Sequence, residues 1–255
     1  MQTEFHKYHG AGNDFIIIDD RENLFDKKNQ AFIQKLCSRR FGIGADGLIL
    51  LENDSESDFR MVYFNADGNE SSMCGNGGRC IVAFAKKLDI ISGKTKFIAI
   101  DGLHYAEIDD NNYVKLQMKD VETINNIDGD FVSDTGSPHY VKIVKEHTTN
   151  FVEEAKTIRN SQEYQAKGIN VNFITINDRF IDIRTFERGV ENETLACGTG
   201  CVAAALSVME LQNNTNKVLL KTKGGNIEVT ATKTDKGYQN VYLYGPTEFV
   251  FAGVL

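Results

Sequence analysis

A glycine-flanked cysteine that opens a run of small apolar residues occurs twice in this chain. The first copy is Met73-Cys74-Gly75-Asn76-Gly77-Gly78-Arg79-Cys80-Ile81-Val82-Ala83; the second is Cys197-Gly198-Thr199-Gly200-Cys201 followed by Val202 and three alanines. The leading cysteines stand 123 residues apart in a chain of 255. Other landmarks recur in the same order. Gly12-Asn13-Asp14-Phe15-Ile16 aligns with Gly136-Ser137-Pro138-His139-Tyr140 at an offset of 124, and Phe59…Gly68 with Phe180…Gly189 at 121. Phe97…Gly102 aligns with Leu219…Gly224 at 122, and Glu70 and Glu193 each precede their cysteine by four residues. Ordered landmarks at nearly constant offset mark a duplicated supersecondary unit. The expectation is a mixed α/β chain of two pseudo-symmetric domains, residues 1–118 plus 246–255 and residues 119–245. Related by a pseudo-twofold axis, they would present two helix N-termini to one shared cleft.

Periodicity places the elements. Residues 1–8 and Phe15–Ile18 read as strands around a glycine-rich turn, and Leu48–Leu51 and Phe59–Phe64 as further strands. Lys28 to Arg40 reads as an amphipathic helix with Phe32, Ile33, Leu36 and Cys37 on one face. A helix from Gly77 to about Leu88 follows the first cysteine, then Thr95–Ile100, Tyr105–Ile108 and Tyr113–Met118 as strands. The last segment, Thr247 to Val254, lies beyond the second repeat and is expected to cross back to the first sheet. Asn125-Asn126 and Asn213-Asn214 read as loops.

A net charge of −8, with no basic stripe interleaved with aromatics, argues against nucleic acid or an anionic membrane as partner. No apolar run reaches the ~18 residues of a membrane span, and the opening MQTEFHKYHG is too polar for a secretory signal, so a cytoplasmic location is expected. Five cysteines spaced C-x5-C and C-x3-C form neither a disulfide scaffold nor the usual C-x2-C zinc pairs, so no metal is assigned. Cys37, Cys80 and Cys201 read as small core residues. Cys74 and Cys197 do not, because each stands at the start of a glycine-flanked helix.

A helix N-terminus offers unpaired N–H groups and positive potential, which suit a carboxylate and favour a thiolate. Inverting a stereocentre by proton transfer needs a base on one face of the carbon and an acid on the other. One cysteine thiolate and one thiol in mirror positions supply both. Lowering a thiol from its ordinary pKa of about 8.5 to ~7 takes about 2 kcal/mol. A helix end contributes ~0.3–1 kcal/mol when exposed and up to ~2 when partly buried. Exclusion of water and nearby polar groups must therefore assist.

The chain resembles the diaminopimelate epimerase family along essentially its whole length. The resemblance is carried by Gly10-Ala11-Gly12-Asn13-Asp14-Phe15, Phe64-Asn65-Ala66-Asp67-Gly68, Cys74 to Cys80, Gly136-Ser137-Pro138-His139, Asn170-Val171, Glu187-Arg188-Gly189 and Ala196-Cys197-Gly198-Thr199-Gly200. It implies two domains, each a mixed sheet or barrel wrapped around a central helix. It also implies cofactor-free interconversion of LL- and meso-2,6-diaminoheptanedioate. By that likeness Cys74 and Cys197 are the proton-transfer thiols, with His139 and Glu187 near them tuning their protonation. Gly75, Asn76, Gly198 and Thr199 would cradle the carboxylate at the reacting centre through backbone N–H groups. Asn13, Asn65 and Asn170 would position the substrate, while Glu187 and Arg188 read its charged groups. A homodimer is implied as well. Some members have asparagine where this chain has Ser137 and glutamine where it has Gly47.

Two rival readings remain at this point. A proline or hydroxyproline racemase would use similar paired cysteines in a smaller pocket. A thiol redox or metal-binding protein would instead show a Cys74–Cys197 disulfide or bound zinc. His6, His9, His104 and His147 show no partner pattern, and no role is assigned to them.

Overall fold

The structure is a computed structural model that describes residues 3–212 and 215–255. The Asn213-Asn214 loop and the first two residues of the expected opening strand therefore lie outside the described residues. The chain divides into two compact units, one running to Leu116 and taking back Gly245–Leu255, the other Gln117–Tyr244.

The first unit begins with β1 (Glu4–Gly10) and β2 (Asn13–Asp19), antiparallel across a tight turn in which Ala11 and Gly12 both adopt positive φ. Helix α1 (Gln30–Cys37) crosses to β3 (Gly47–Glu52), which runs parallel to β2. β3 is buried along its whole length, as strands covered on both faces are. It pairs antiparallel with β4 (Phe59–Asn65). Helix α2 (Gly75–Lys87) then leads to the meander β5 (Lys94–Ala99), β6 (Gly102–Ile108) and β7 (Tyr113–Gln117). Helix α2 packs against β1, β2, β3, β4 and β6, so the strands wrap it, and all its residues from Gly75 to Ala85 are buried. Lys86 and Lys87 occupy its last turn, where cations suit the helix dipole.

The second unit repeats this pairing for pairing. It runs β8 (Ile124–Ile127), β9 (Asp130–Asp134), β10 (Pro138–Ile143), α3 (Phe151–Arg159), β11 (Asn170–Ile176), β12 (Ile181–Glu187), β13 (Asn192–Thr194), α4 (Gly198–Leu211), β14 (Lys217–Thr222), β15 (Gly225–Thr234) and β16 (Gly237–Pro246). Strands β10 and β11 are parallel, β11 and β12 antiparallel, β12 and β14 parallel, as are their counterparts β2–β3, β3–β4 and β4–β5. Helix α4 is apolar on every side and buried from Gly200 through Met209, packed against β9, β10, β11, β12, β14 and β15. The final strand, β17 (Glu248–Val254), pairs antiparallel with β1 and completes the first unit, as the sequence led us to expect.

Strand register corrects two of the repeat offsets. Phe64 lies opposite Leu48 in β3, and Phe186 lies opposite Val171 in β11. The counterpart of Phe59 is therefore Ile181, not Phe180, and that of Phe97 is Leu220, which pairs with Ile181 as Phe97 does with Phe59. Glu70 bridges to Phe64 as Glu193 pairs with Phe186, so the two glutamates are true counterparts. Helix α1 is shorter than expected, because the Asn29 side chain accepts from Phe32 N at 3.1 Å and starts it there. Ile33, Leu36 and Cys37 face the core, whereas Phe32 sits at the edge of the apolar face, 38% exposed.

Candidate active site

Each of the two leading cysteines is the N-cap of the helix its unit wraps. Cys74 precedes α2 with φ −92° and ψ 127°, and Cys197 precedes α4 with φ −118° and ψ 116°. Neither helix carries an acidic residue in its first turn. The expected cradle residues Gly75, Asn76, Gly198 and Thr199 thus supply first-turn N–H groups, which have no acceptor within a helix.

In the first unit, the Cys74 thiol donates to Asn13 Oδ1 at 3.6 Å. Asn13 is oriented from behind. Its Nδ2 donates to Asp46 Oδ2 at 2.6 Å, which leaves Oδ1 to accept from both Cys74 and Asn76 Nδ2, the latter at 3.1 Å. Arg39 grips Asp46 and Asp14 at 2.7 and 2.8 Å, and Lys7 reaches Asp14 at 2.7 Å. Burial alone would raise the Asp14 carboxyl; hydrogen bonds and charge from Arg39 and Lys7 outweigh it and hold it at about 2. Arg79, fully buried, donates to Gly75 O at 3.3 Å and Asn76 Oδ1 at 3.0 Å, fixing the first turn of α2. Asn65 ends β4 opposite Gly47 and is exposed. A Cβ on Gly47 would come within 2.5 Å of Phe64 O and of the Tyr63 ring, so glutamine does not fit this backbone.

In the second unit, Cys197 Sγ lies 3.4 Å from Thr199 Oγ1, which lies 2.8 Å from His139 Nε2. His139 is fully buried on β10 beside Asn170 of β11. Burial, with Arg188 adding to it, pushes the His139 pKa down to about 3, so the ring is neutral. Asn170 Nδ2 donates to Ser137 Oγ at 2.9 Å and Pro138 O at 3.0 Å, and its Oδ1 accepts from Arg188 N at 2.9 Å. Ser137, at the position where some family members carry asparagine, therefore anchors Asn170, and it also accepts from Arg188 Nη2 at 3.4 Å. Arg188 is exposed and Glu187, the last residue of β12, is half-buried.

Burial pushes the Cys197 thiol well above the ordinary thiol range, and the Glu187 charge adds to the shift. The Thr199 hydroxyl and the Gly200 N–H pull the other way without cancelling it. Desolvation, which disfavours the charged form, thus acts on this thiol against the helix end. Cys80 and Cys201 are buried in their helices, and Cys37, also buried, is pushed up to about 11 by desolvation. Among the described residues, every cysteine is a free thiol and no three His, Cys, Asp or Glu side chains gather as a metal site. Nor is any helix among them long and apolar enough to cross a membrane.

Four residues near the thiols escaped the sequence reading: Asp46, Arg79, Asn172 and Thr185. Asn172 left a trace, since Asn170-Val171-Asn172 puts amides on one face of an otherwise apolar strand. Asp46 left none, because its partners Asn13 and Asp14 lie more than thirty residues away on β2.

The diaminopimelate epimerase family model matches residues 5–124 and again 131–250. The chain belongs to the diaminopimelate epimerase family. A diaminopimelate epimerase of Flavobacterium psychrophilum is 53% identical over 253 residues, covering 97% of this chain and 98% of that protein. Its counterpart in Aquifex aeolicus is 39% identical over 274 residues, covering 99% and 97%. Among solved structures, a Bacillus anthracis phenazine biosynthesis protein of the PhzF family superposes with a TM-score of 0.77 at 14% identity, covering 100% of this chain and 99% of that one. A hydroxyproline epimerase of Agrobacterium vitis, with bound trans-4-hydroxy-L-proline, superposes at 0.68 and 13%, covering 100% and 92%. At such identities these structures share the fold with this epimerase family member, and nothing finer.

Proposed function

We propose that this isomerase interconverts LL- and meso-diaminopimelate without a cofactor, with Cys74 and Cys197 working from opposite faces of one α-carbon. The observation that carries the reading is the pair of matched helix N-caps, each a cysteine, in a member of this family. In one direction, the thiolate of one cysteine takes the α-proton: the Cα–H bond breaks, an S–H bond forms, and the electron pair delocalises into the substrate carboxylate. The opposite thiol then gives its proton to the other face of the carbon and is left as thiolate. The roles exchange in the reverse direction. First-turn N–H groups of Gly75, Asn76, Gly198 and Thr199 hold the carboxylate as negative charge builds on it. Asn13, Asn65 and Asn170 position the substrate, and Arg188, a planar fork suited to a carboxylate, reads its far end.

Glu187 has a second part in this reading. Its charge raises the Cys197 thiol, and a substrate ammonium bound to it cancels that effect. Arrival of substrate thus favours the thiolate only when a reactant is present to use it. A long substrate charged at both ends accounts for Glu187 together with Arg188 better than a proline-sized one does. The test is to incubate the chain with LL-diaminopimelate and, separately, proline in deuterium oxide and follow α-proton exchange. Exchange and epimerisation of diaminopimelate alone support the reading; turnover of proline alone refutes it. The domain limits 1–118 with 246–255 and 119–245, a cytoplasmic location and a homodimer belong to the same proposal. The last draws support from β17, whose Phe249, Val250, Phe251 and Val254 are exposed, and sedimentation velocity tests it.

A further inference from the structure

The repeat provides an internal control for the polar pair beneath Cys197. Register makes Phe15 the counterpart of His139 and Ile49 the counterpart of Asn172. In the first unit, a Cβ on Gly77 would meet Ile49 at 3.1 Å and Phe15 at 3.5 Å; in the second, a Cβ on Gly200 would meet Asn172 Oδ1 at 2.6 Å and His139 at 3.3 Å. The same packing position under the first helical turn is therefore filled by an apolar pair in one unit and a polar pair in the other. Packing alone is satisfied by phenylalanine and isoleucine, and buried polar side chains are costly unless every group is paired. The His139–Asn172 pair thus calls for a reason beyond packing.

The hydrogen bonds supply it. Tyr140 O can only accept, so the Asn172 side-chain atom 3.1 Å from it is Nδ2, and Thr185 Oγ1 donates to Oδ1 at 2.9 Å. Asn172 Nδ2 then has two protons and two acceptors, Tyr140 O and His139 Nδ1, each at 3.1 Å. Nδ1 must therefore carry a lone pair, and the proton of the neutral ring resides on Nε2. Asn170 Nδ2 stands 3.4 Å from Nε2, but both its protons are committed to Ser137 and Pro138. The Nε2–H consequently donates to Thr199 Oγ1. We propose that Asn172 is a positioning residue: it holds His139 as the Nε2–H tautomer, which leaves the Thr199 hydroxyl proton free to hydrogen-bond the Cys197 thiolate. In the opposite tautomer, Nε2 would take that proton and the sulfur would lose its donor. The inference rests on the reading of Cys197 as a proton-transfer thiol.

The test compares the wild-type chain with Asn172→Ile, which installs the packing the first unit already tolerates, and Asn172→Asp, which turns the donor to Nδ1 into an acceptor. With 15N-labelled histidine, and with His139 assigned by the signal missing from His139→Phe, the wild type should show the Nε2–H tautomer. Both variants should lose it. Alkylation of Cys197 by iodoacetamide, mapped by peptide mass, should slow about tenfold, the size of one lost charge-assisted hydrogen bond. The kcat for diaminopimelate should fall about tenfold or more with KM nearly unchanged. A wild-type Nδ1–H tautomer overturns the proposal, as does a folded Asn172→Ile chain with wild-type alkylation rate. Loss of kcat with the tautomer preserved also overturns it. The tautomer and alkylation readings need no substrate, so they stand or fall separately from the assigned activity. Should the aspartate variant fail to fold, the isoleucine variant and the wild-type spectrum still decide.

Discussion

At the scale of single residues, the two halves surround their thiols differently. Cys74 donates to an asparagine oxygen anchored by a carboxylate, whereas Cys197 lies beside a threonine that a neutral histidine contacts, with Glu187 nearby. Removing the Glu187 charge should lower the Cys197 pKa, since a negative neighbour disfavours a second negative charge. In Glu187→Gln the pH midpoint for Cys197 alkylation should move down, while kcat/KM for diaminopimelate falls because the ammonium loses its partner. His139 makes a different prediction. Its pKa is about 3 folded, against about 6.5 unfolded, so the unfolded chain binds a proton that the folded chain refuses. Its contribution is fully present above pH 6.5 and is lost progressively as pH falls toward 3. Between pH 7 and 5 the wild type should lose about 2 kcal/mol that His139→Phe keeps, readable by urea unfolding at the two pH values.

At the scale of elements, the first turn of each wrapped helix is where sequence and structure meet. The cysteine motifs marked the openings of both helices, because glycine beside a cysteine before an apolar run has a local meaning, although α2 starts at Gly75, two residues before the expected Gly77. The fold class and the return of β17 were likewise legible, from alternation and from a segment left over beyond the second repeat. What stayed hidden was orientation. Asp46 behind Asn13 and Asn172 beneath His139 act through contacts between elements, and no local pattern encodes which end of an amide faces a sulfur. Gly200 shows how tightly these layers fit. In Gly200→Ala the new Cβ would strike Asn172 Oδ1, which is tied to Thr185 and cannot withdraw cheaply. The variant should lose about 1–3 kcal/mol in chemical denaturation, an overpacking cost, and should lose kcat as well.

At the scale of the whole molecule, duplication followed by divergence explains why one fold surrounds its two N-cap cysteines differently. The units keep the same strand pairings and the same buried helix. They differ at Phe15 and His139, Gly47 and Asn170, and Asn65 and Glu187, the positions that register makes equivalent. The closing strand ties the C-terminus to the start of the first unit: Phe5 packs edge-on against Phe251 at 5.9 Å, and β1 has β17 on one side and β2 on the other. A chain ending at Thr247 should therefore unfold at distinctly lower denaturant than the full chain. The most direct trial of two thiols acting on one carbon is single replacement. The rate of LL-to-meso conversion should fall by about 10²–10⁴ in each of Cys74→Ala and Cys197→Ala, while Cys80→Ala retains activity. Either single variant turning over diaminopimelate near the wild-type rate would contradict the account.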